Sequence, residues 1–471
     1  MKKNANAQRL VLTIALIAVV AGIAAIIILG KGQQPATAPA ATGTESTAQA
    51  TATGSPAAAT AAAPAAAQAT PAPAPAKPAA DEPAWTAMSP GSPTEQATAI
   101  GSVDPTAARF LLALNPRGAG IDRITFSDLW RTADEAALAR QGKAPAEGRY
   151  ELASPGKLQG FDVPLLAARA IEVDGRTIRV DGNVWRETSP GTFVTEIKDG
   201  TGALQLRVTR RWQVEAGSYE IRCEQRVENL SASPRAVRWL QFGPTDLSRD
   251  PNDSVDSRRF QSGYLMAKER DPAQATVIVH GATLDHSTVV SQVAGGDLTV
   301  WPTERQVQEK YGLSWFGATN RYFALAVHAP YAPPGSAGKA IAPAVAAIQA
   351  QVGDGMHLGK PEQVVFTTCV SEQVTIAPGA TGAFDVGVFA GPLERSLLSA
   401  TQPFAALNMQ GLILYLMSGC CSWCTFSWLA DFLVWFLAFL HDYVVRDWGP
   451  SRGPRSRGGT RGTTPGSPRA S

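Results

Sequence analysis

The feature that most limits the fold of this chain is a long stretch without large apolar side chains. From Gln33 to Ala84 there is no Val, Ile, Leu, Met, Phe, Trp or Tyr. Such a stretch cannot bury enough apolar surface to offset the entropy lost on ordering, so we expect a disordered Ala/Pro/Thr linker over residues 30–84. As a flexible coil it would span roughly 40 Å. The folded core must therefore lie between Trp85 and residue 400.

An apolar run precedes this linker. Leu10–Leu29 has 20 residues, of which 13 are Leu, Ile or Val. At about 1.5 Å per residue, a helix of this length matches the hydrocarbon core of a bilayer. Lys2, Lys3 and Arg9 come before it, so the positive-inside rule predicts that residues 1–9 are cytoplasmic and that the chain after the run is exported. A cleaved signal peptide usually has a shorter apolar region, and we therefore expect an uncleaved transmembrane anchor at residues 10–29.

Short alternating runs separated by turn signals come after the linker. Leu204, Leu206 and Val208 alternate with polar residues, the period of two that one-sided burial of an antiparallel sheet requires. Asp174-Gly175 and Asp199-Gly200 lie between such runs, where we expect glycine to supply the positive φ of a tight hairpin. Many strands and few helices predict a mainly β fold, a large antiparallel β-sandwich over residues 85–400. The other predicted elements are a second alternating run at Tyr219, Ile221, Cys223 and Val227, strands at Thr177–Trp185, Ala236–Phe242, Thr276–Val279, Tyr322–His328, Val364–Val370 and Phe384–Phe389, and a short helix at Ala133–Arg140.

The sequence carries no signature of catalysis or of a cofactor. It has no G-x-S-x-G elbow, no phosphate-binding loop and no dinucleotide fingerprint, and its net charge of +2 gives no field that points to nucleic acid. We therefore predict no catalytic, cofactor-binding or metal-binding residue, no cofactor, no nucleic-acid partner and no enzyme. None of the five histidines has metal-ligand spacing: His280, His286, His328, His357 and His441. His280 ends an apolar run and His328 lies inside one, so we expect structural histidines rather than ligands, and His280, His286 and His328 have no obvious acidic partner.

Acidic and thiol side chains form two further groups. A cluster of carboxylates without the glycine and distal glutamate of a calcium loop predicts a solvated turn: Asp246, Asp250, Asp253 and Asp256. Cys223 and Cys369 are expected to be buried free thiols, with a disulfide between them as the alternative. Cys420, Cys421 and Cys424 lack a second ligand pair, which favours packing or lipid contact over a metal site.

Apolar and aromatic residues return near the C-terminus. The pattern predicts an interfacial, aromatic-rich amphipathic helix within residues 404–449, lying among the lipid headgroups. A second membrane span over residues 412–445 is the open alternative. Residues 450–471 are Arg, Gly, Pro, Ser and Thr with little else, and we expect a disordered tail. RNA or anionic lipid would suit such a tail, but GC-rich DNA read out of frame gives the same composition, and we favour that interpretation.

In this order, the segments resemble the YidC branch of the Oxa/YidC/Alb family of membrane-protein insertases. The resemblance covers residues 1–449, and its strength lies in the order of the segments rather than in any one of them. The segments that carry it are Asn115–Ile121, Tyr219–Arg222 with Val227–Asn229, Gly312–Trp315 with Tyr322–Phe323, Ala377–Ala380 with Phe389–Pro392, and Phe426–Leu429 with Asp447–Gly449.

This resemblance implies a β-supersandwich related to galactose-mutarotase-like folds. It also implies a membrane insertase and chaperone of the bacterial inner membrane, with the main domain in the periplasm. The partners would be the lipid bilayer, nascent membrane proteins and components of the Sec translocon. In the family, five membrane helices with a groove arginine follow the interfacial helix, whereas here Pro450 and the polar tail follow. We therefore expect a truncated or frameshifted chain that is not insertion-competent by itself.

Two other functions fit the same sequence. A membrane-anchored periplasmic carbohydrate-binding or sugar-modifying β-sandwich would need a cleft lined by histidine, glutamate and stacked aromatic rings. A purely structural periplasmic scaffold cannot be separated from an insertase by the sequence.

Overall fold

The computed structural model of the chain describes most residues between 84 and 414. The described ranges are 84–143, 146–249, 256–265, 278–281, 283–293, 296–333, 336, 341–414 and 436. Several predictions lie outside them: the anchor at 10–29, the linker up to residue 83, Asp250 and Asp253, His441, Cys420, Cys421 and Cys424, most of segment 404–449, and the tail 450–471. Within the described ranges, no helix has the length and apolar character needed to cross a bilayer.

The described residues form 25 strands with antiparallel pairing. In chain order the strands are β1 (Thr86–Met88), β2 (Ile100–Gly101), β3 (Phe110–Asn115), β4 (Gly120–Trp130), β5 (Arg149–Ala153), β6 (Gly156–Leu158), β7 (Phe161–Asp162), β8 (Ala168–Val173), β9 (Arg176–Arg179), β10 (Arg186–Ser189), β11 (Thr192–Lys198), β12 (Leu204–Val214), β13 (Glu220–Asn229), β14 (Arg235–Phe242), β15 (Arg259–Leu265), β16 (Ile278–His280), β17 (Leu284–Asp285), β18 (Leu298–Trp301), β19 (Gly312–Thr319), β20 (Phe323–His328), β21 (Val345–His357), β22 (Lys360–Ser371), β23 (Val374–Ile376), β24 (Thr381–Ala383) and β25 (Val386–Pro392). The helices are α1 (Ala133–Arg140), α2 (His286–Val293), α3 (Glu304–Gln308) and α4 (Arg395–Ala400), with single 3-10 turns at Ala146–Gly148 and Met409–Leu412.

These strands form three sheets. The first has 12 strands in the order β1-β11-β12-β13-β25-β20-β19-β15-β16, with β10, β17 and β24 attached to it. The second has nine strands in the order β7-β6-β21-β22-β14-β8-β9, with β18 and β23 attached, and the third is β2-β3-β4-β5. Side chains from all three sheets enter one continuous core. The predicted antiparallel β-supersandwich is confirmed.

The predicted alternation of buried and solvated side chains is also confirmed. In β12, Leu206 and Val208 are buried while Arg207 between them is partly exposed. In β13, Ile221 and Cys223 are buried in the same alternation. The predicted short helix has the same bounds as α1 and begins with a capping box, in which Thr132 and Glu135 exchange side-chain and backbone hydrogen bonds.

One of the two predicted tight hairpins is confirmed and the other is wrong in detail. Asp174 and Gly175 both have positive φ, 49° and 83°, and connect β8 to β9 in a two-residue turn. Asp199 starts a longer loop, in which its carboxylate accepts from the backbone N–H of Thr201 at 2.9 Å and of Ala203 at 3.0 Å. The positive φ of that loop falls on Gly202, at 86°, rather than on Gly200.

Two predicted strands have different bounds because side chains or carbonyls interrupt their pairing. β9 ends at Arg179 rather than Trp185, since the next two backbone N–H groups both donate to the Arg169 carbonyl, at 3.0 and 3.2 Å. β25 begins at Val386 rather than Phe384, since the Asp385 carboxylate occupies the N–H of Gln225 in the neighbouring strand. The strands predicted within 236–242, 322–328 and 364–370 are confirmed as β14, β20 and β22.

The folded domain extends past the predicted boundary at residue 400. Phe404, Leu407, Met409 and Leu412 are fully buried in the core. The Phe404 ring packs against Phe389 with centroids 4.8 Å apart. Two carbonyl oxygens of this segment accept hydrogen bonds from core side chains. The Trp315 indole donates to Leu407 at 2.9 Å, and the Gln261 amide donates to Leu412 at 3.0 Å. The interfacial helix within 404–449 stays a prediction for the residues beyond this segment.

A buried arginine lies where the three sheets meet. Arg210 of β12 is 0% exposed, and its Nη2 donates to Gln241 Oε1 of the second sheet at 3.2 Å. Its Nη1 donates to the carbonyl oxygens of Gly118 and Ala119, in the turn of the third sheet, at 3.3 and 3.4 Å. Its Nε lies 3.2 Å from Cys223 Sγ of the first sheet, and its guanidinium stacks on the Trp212 ring at 4.5 Å. One side chain thus connects all three sheets.

The substitution Arg210→Lys should destabilise the domain by about 3 kcal/mol. The ammonium keeps the buried charge, but a point charge cannot reach acceptors on three sheets at once as the planar guanidinium does. Urea unfolding followed by tryptophan fluorescence measures the change. Arg211→Lys is the matched control, since Arg211 is the next residue, is 53% exposed and lies 3.9 Å from Glu224. It should change stability by less than about 0.5 kcal/mol, and equal effects of the two substitutions would contradict the role of Arg210.

Candidate functional site

The densest group of charged side chains surrounds Arg258. Its guanidinium is 3% exposed and contacts the carboxylates of Asp256 at 2.7 Å and Glu362 at 2.6 Å. A third carboxylate, that of Asp246, lies 3.9 Å from Nη1. Burial opposes the charge on Arg258, but the hydrogen bond to Asp256 and the three nearby carboxylates outweigh it and raise the pKa of the guanidinium. Burial likewise opposes the charge on Asp256, yet its hydrogen bonds with Arg258 leave the pKa of its carboxyl lowered.

Two sequence predictions fail in this cluster. Asp246 was expected in a solvated turn, but it is 1% exposed, and its Oδ2 accepts from the N–H of Val365 at 2.7 Å. The same oxygen lies 2.8 Å from Nδ1 of His286, so His286 does have an acidic partner. Both partners are distant in sequence, and a buried carboxylate is stable only when such partners replace its water.

This cluster connects elements that are distant in the sequence. It joins the segments that follow β14 and precede β15 to β22 and to the start of α2. None of its members lines the three described cavities, which lie elsewhere on the domain. Within the described ranges, no group of three or more His, Cys, Asp or Glu side chains is arranged to hold a metal ion.

The other histidines with described side chains do not form a site either. His328 lies inside β20, is 2% exposed, and has Nδ1 2.9 Å from the Ala329 carbonyl oxygen, so the predicted structural role is confirmed. Burial lowers the pKa of His328 to about 4, and Nε2 lies 4.0 Å from Glu220 without a hydrogen bond. The side chain of His280 lies outside the described residues. Cys223 and Cys369 are buried and free, and burial raises the pKa of both thiols.

A concave surface lies at the end of β3. Its larger part is a cavity of about 600 Å³ between residues 93–97, the Asn115–Arg117 turn, and the Asp162–Pro164 segment. The wall at 93–97 is fixed to the sheet through Glu187, whose backbone N–H donates to Thr94 Oγ1 at 2.7 Å. The floor is held by Asn115, which donates from Nδ2 to Asp122 at 2.6 Å.

A second cavity, of about 170 Å³, continues from the first. Arg117 and the Asp162–Pro164 segment line both cavities, and together we call them the Arg117 cleft. At the far end the Phe161 ring is 69% exposed at the rim. Arg169 also lines this cavity; it donates to Thr368 Oγ1 at 2.7 Å and lies over the Phe242 ring. Burial and the nearby charge of Arg179 lower the pKa of the Arg169 guanidinium.

The Arg117 cleft has a mixed lining. It combines apolar walls, exposed backbone and charges of both signs, and no histidine or cysteine lines it. Since the two cavities share a wall, one ligand can contact both. The cleft has no signature in the sequence, because its residues come from five separate segments that only the fold brings together.

A different surface is convex. The turn between β21 and β22 exposes Met356 to 64% and Leu358 to 68%. Complete burial of one such side chain is favourable by roughly 1.5–3 kcal/mol, and this free energy is not gained while Met356 and Leu358 remain exposed to water. We call Met356–Leu358 the apolar tip. A Leu-Gly pair between two long strands, at the place where Asn-Gly or Asp-Gly is usual, was the signal in the sequence that could have identified it.

The chain was compared with known proteins by sequence and by structure. The family model of the YidC periplasmic domain matches residues 192–436. No curated protein matches the chain. The match includes the predicted family segments from Tyr219 to Pro392 and does not extend back to Asn115–Ile121.

Similar solved structures include proteins related to sugar enzymes. A galactose mutarotase related enzyme from Lactobacillus acidophilus has 9% identity and a TM-score of 0.37 over 62% of this chain and 97% of that chain. A galactose mutarotase-like protein from Lactobacillus casei has 10% identity and a TM-score of 0.33 over 62% of this chain and 99% of that chain. A putative aldose 1-epimerase from Escherichia coli K12 has 11% identity and a TM-score of 0.29 over 63% and 99%. Similarity at this level says nothing about ligand or activity.

Acidification should destabilise the domain through His328. The unfolded imidazole takes up a proton near pH 6.5, whereas the buried ring excludes it down to a pKa of about 4. The stability present at pH 7 is therefore lost as the pH falls through this window, by up to about 3 kcal/mol for this group. His328→Asn keeps an N–H donor but does not titrate, so its unfolding free energy should fall less between pH 7 and pH 4.5. Parallel pH profiles of the wild type and the variant would contradict this.

The Arg258 cluster can be tested by comparison with a surface network. Arg258→Met should lower the free energy of unfolding by about 3–5 kcal/mol, because the buried Asp246 and the partly buried Asp256 and Glu362 lose their counter-charge. Arg207→Met is the control, since Arg207 also contacts two carboxylates, Glu196 and Glu228, but is 43% exposed. The control should cost less than about 1 kcal/mol. Chemical denaturation of both variants decides, and a similar loss in both would refute a special role for burial.

Proposed function

The chain belongs to the YidC periplasmic domain family, and from this premise we propose that it assists the insertion and folding of bacterial inner-membrane proteins, with or without the Sec translocon. The family match over residues 192–436 is the observation that carries the proposal. A periplasmic domain of this family implies a position at the inner membrane. The transmembrane anchor at 10–29, the cytoplasmic N-terminus and contacts with Sec components and nascent membrane proteins are part of the proposal.

We further assign a chaperone role to the Arg117 cleft. Its volume and its mixed lining favour an extended segment of a nascent protein, whose backbone polar groups need partners while its side chains are still unpacked. Phe161 at the rim offers an exposed ring to apolar side chains, and Arg117 is an exposed cation at the junction of the two cavities. Such contacts are weak and sequence-tolerant, as a chaperone requires.

The carbohydrate-binding alternative has less support. It requires histidine and glutamate beside aromatic rings in a cleft, whereas His328 is 2% exposed and His286 belongs to the closed Arg258 cluster. Neither imidazole lines the Arg117 cleft. Its remaining argument is the exposed ring of Phe161 beside the ion pair of Arg179 and Asp181, 2.7 Å apart, which would suit a sugar face.

Photo-crosslinking to nascent chains tests the proposal. The photoreactive residue p-benzoylphenylalanine replaces Phe161 in the full chain, in membranes that present ribosomes stalled on an inner-membrane protein. We expect adducts with the nascent chain, because the ring lies at the rim of the cleft. Replacement of Tyr322 is the matched control, since this aromatic ring is also exposed, at 54%, but lies outside the cleft.

The expected result is several-fold more nascent-chain adduct from position 161 than from position 322. Ribosomes stalled on a cytosolic protein should give no adduct from either position. Equal yields from the two positions would overturn the role of the cleft. Absence of nascent-chain adducts from both would overturn the proposed function, and a glycan adduct in their place would favour the alternative.

A further inference from the structure

Three two-residue turns of this domain have the same backbone geometry but different residues at the first turn position. Two-residue turns with positive φ at both positions connect β6 to β7, β8 to β9 and β21 to β22. Their φ values are 52° and 81° at Gln159-Gly160, 49° and 83° at Asp174-Gly175, and 49° and 75° at Leu358-Gly359. Each has glycine at the second position. At the first position two turns carry a polar side chain, and the third carries leucine.

Leucine is unfavourable at this position for two separate reasons. A left-handed backbone is tolerated by Asn, Asp and Gly but strained for other residues, and leucine has no side-chain hydrogen bond to offset the strain. The side chain is also 68% exposed, next to Met356 at 64%. Neither the backbone conformation nor the exposure to solvent favours Leu358, as expected for a side chain that makes a contact outside the isolated domain.

The shape and charge of the apolar tip indicate what that contact is. The tip ends the two longest strands of the domain, β21 with 13 residues and β22 with 12, and is convex, so it can enter an apolar medium but cannot enclose a peptide. Beside the tip, Lys360 is exposed, His357 within it is half-buried, and the exposed carboxylate of Asp354 lies two residues before Met356. The nearest following carboxylate, Glu362, is bound to Arg258. An apolar tip beside an exposed cation complements an anionic lipid surface.

We propose that the apolar tip inserts Met356 and Leu358 into the headgroup and acyl boundary of the lipid bilayer and so fixes the orientation of the domain on the membrane. This rests on the proposed function in so far as it needs the domain at the inner membrane. The linker predicted at residues 30–84 would keep the domain near the bilayer at high effective concentration, so even a weak contact is populated. The tip then acts as a second attachment point, besides the anchor predicted at residues 10–29.

Lipid crosslinking tests this directly. The full chain is reconstituted in vesicles of phosphatidylethanolamine and phosphatidylglycerol that contain a tritiated phospholipid, with p-benzoylphenylalanine at position 358. Position 159 is the matched control, since it has the same place in the same type of turn and is also exposed. We expect several-fold more labelled lipid on position 358 than on position 159. Equal labelling overturns the proposal, and so does an adduct of position 358 with protein alone when native membranes are used.

A substitution separates binding from folding. Leu358→Asn suits the left-handed backbone better, so its thermal midpoint should equal or exceed that of the wild type. With the photoreactive residue at position 356, this substitution should lower the lipid adduct several-fold. An unchanged adduct, or a lowered thermal midpoint, would show that Leu358 serves the fold and would refute the proposal. Nascent-chain adducts from position 161 test the proposed function, and lipid adducts from position 358 test the membrane contact. The failure of one proposal can therefore be distinguished from the failure of the other.

Discussion

Arg210 places a full charge in the centre of the sandwich, where water cannot solvate it. The three sheets must therefore be arranged so that their polar groups accept hydrogen bonds from its guanidinium. Its guanidinium donates to a side chain of the second sheet and to turn carbonyls of the third, and it lies against a thiol and a ring of the first. The contacts with the second and third sheets fix distances between sheets that apolar packing alone would leave adjustable. The register of the sheets and the position of the Gly118-Ala119 turn therefore depend on one residue, and that turn carries the floor of the Arg117 cleft.

Arg258 solves the same physical problem in another way. It neutralises its charge with carboxylates, and the network continues through Asp246 to His286 and the start of α2. The two buried arginines thus stabilise different parts of the domain, one the contact between sheets and the other the loops at one end. With the guanidinium groups of both arginines buried, the surface features of the described residues that carry our proposals are the Arg117 cleft and the apolar tip. The partners proposed for them are an extended polypeptide and a membrane surface.

Much of the β architecture was predictable because it depends on neighbours in the chain. The alternation in β12 and β13, the capping box of α1 and the Asp174-Gly175 turn each need only a few consecutive residues. Strand bounds were predicted wrongly where a side chain occupies a backbone N–H group that would otherwise pair between strands. At the start of β25, the Asp385 carboxylate accepts from the N–H of Gln225. The Arg117 cleft was not predictable for the same reason, since its walls come from segments far apart in the sequence.

By itself, the sequence determined the mainly β class and the start of the folded region, because both follow from composition and local periodicity. The order of its segments also indicated the family, through their resemblance to the segments of known members. Only the tertiary structure decided that Asp246 and His286 are partners, that Phe404 to Leu412 complete the core, and that Leu358 stands exposed at a turn. Burial and pairing across a sandwich depend on which strands become neighbours, and strand order is set by the packing of the whole core rather than by any one segment.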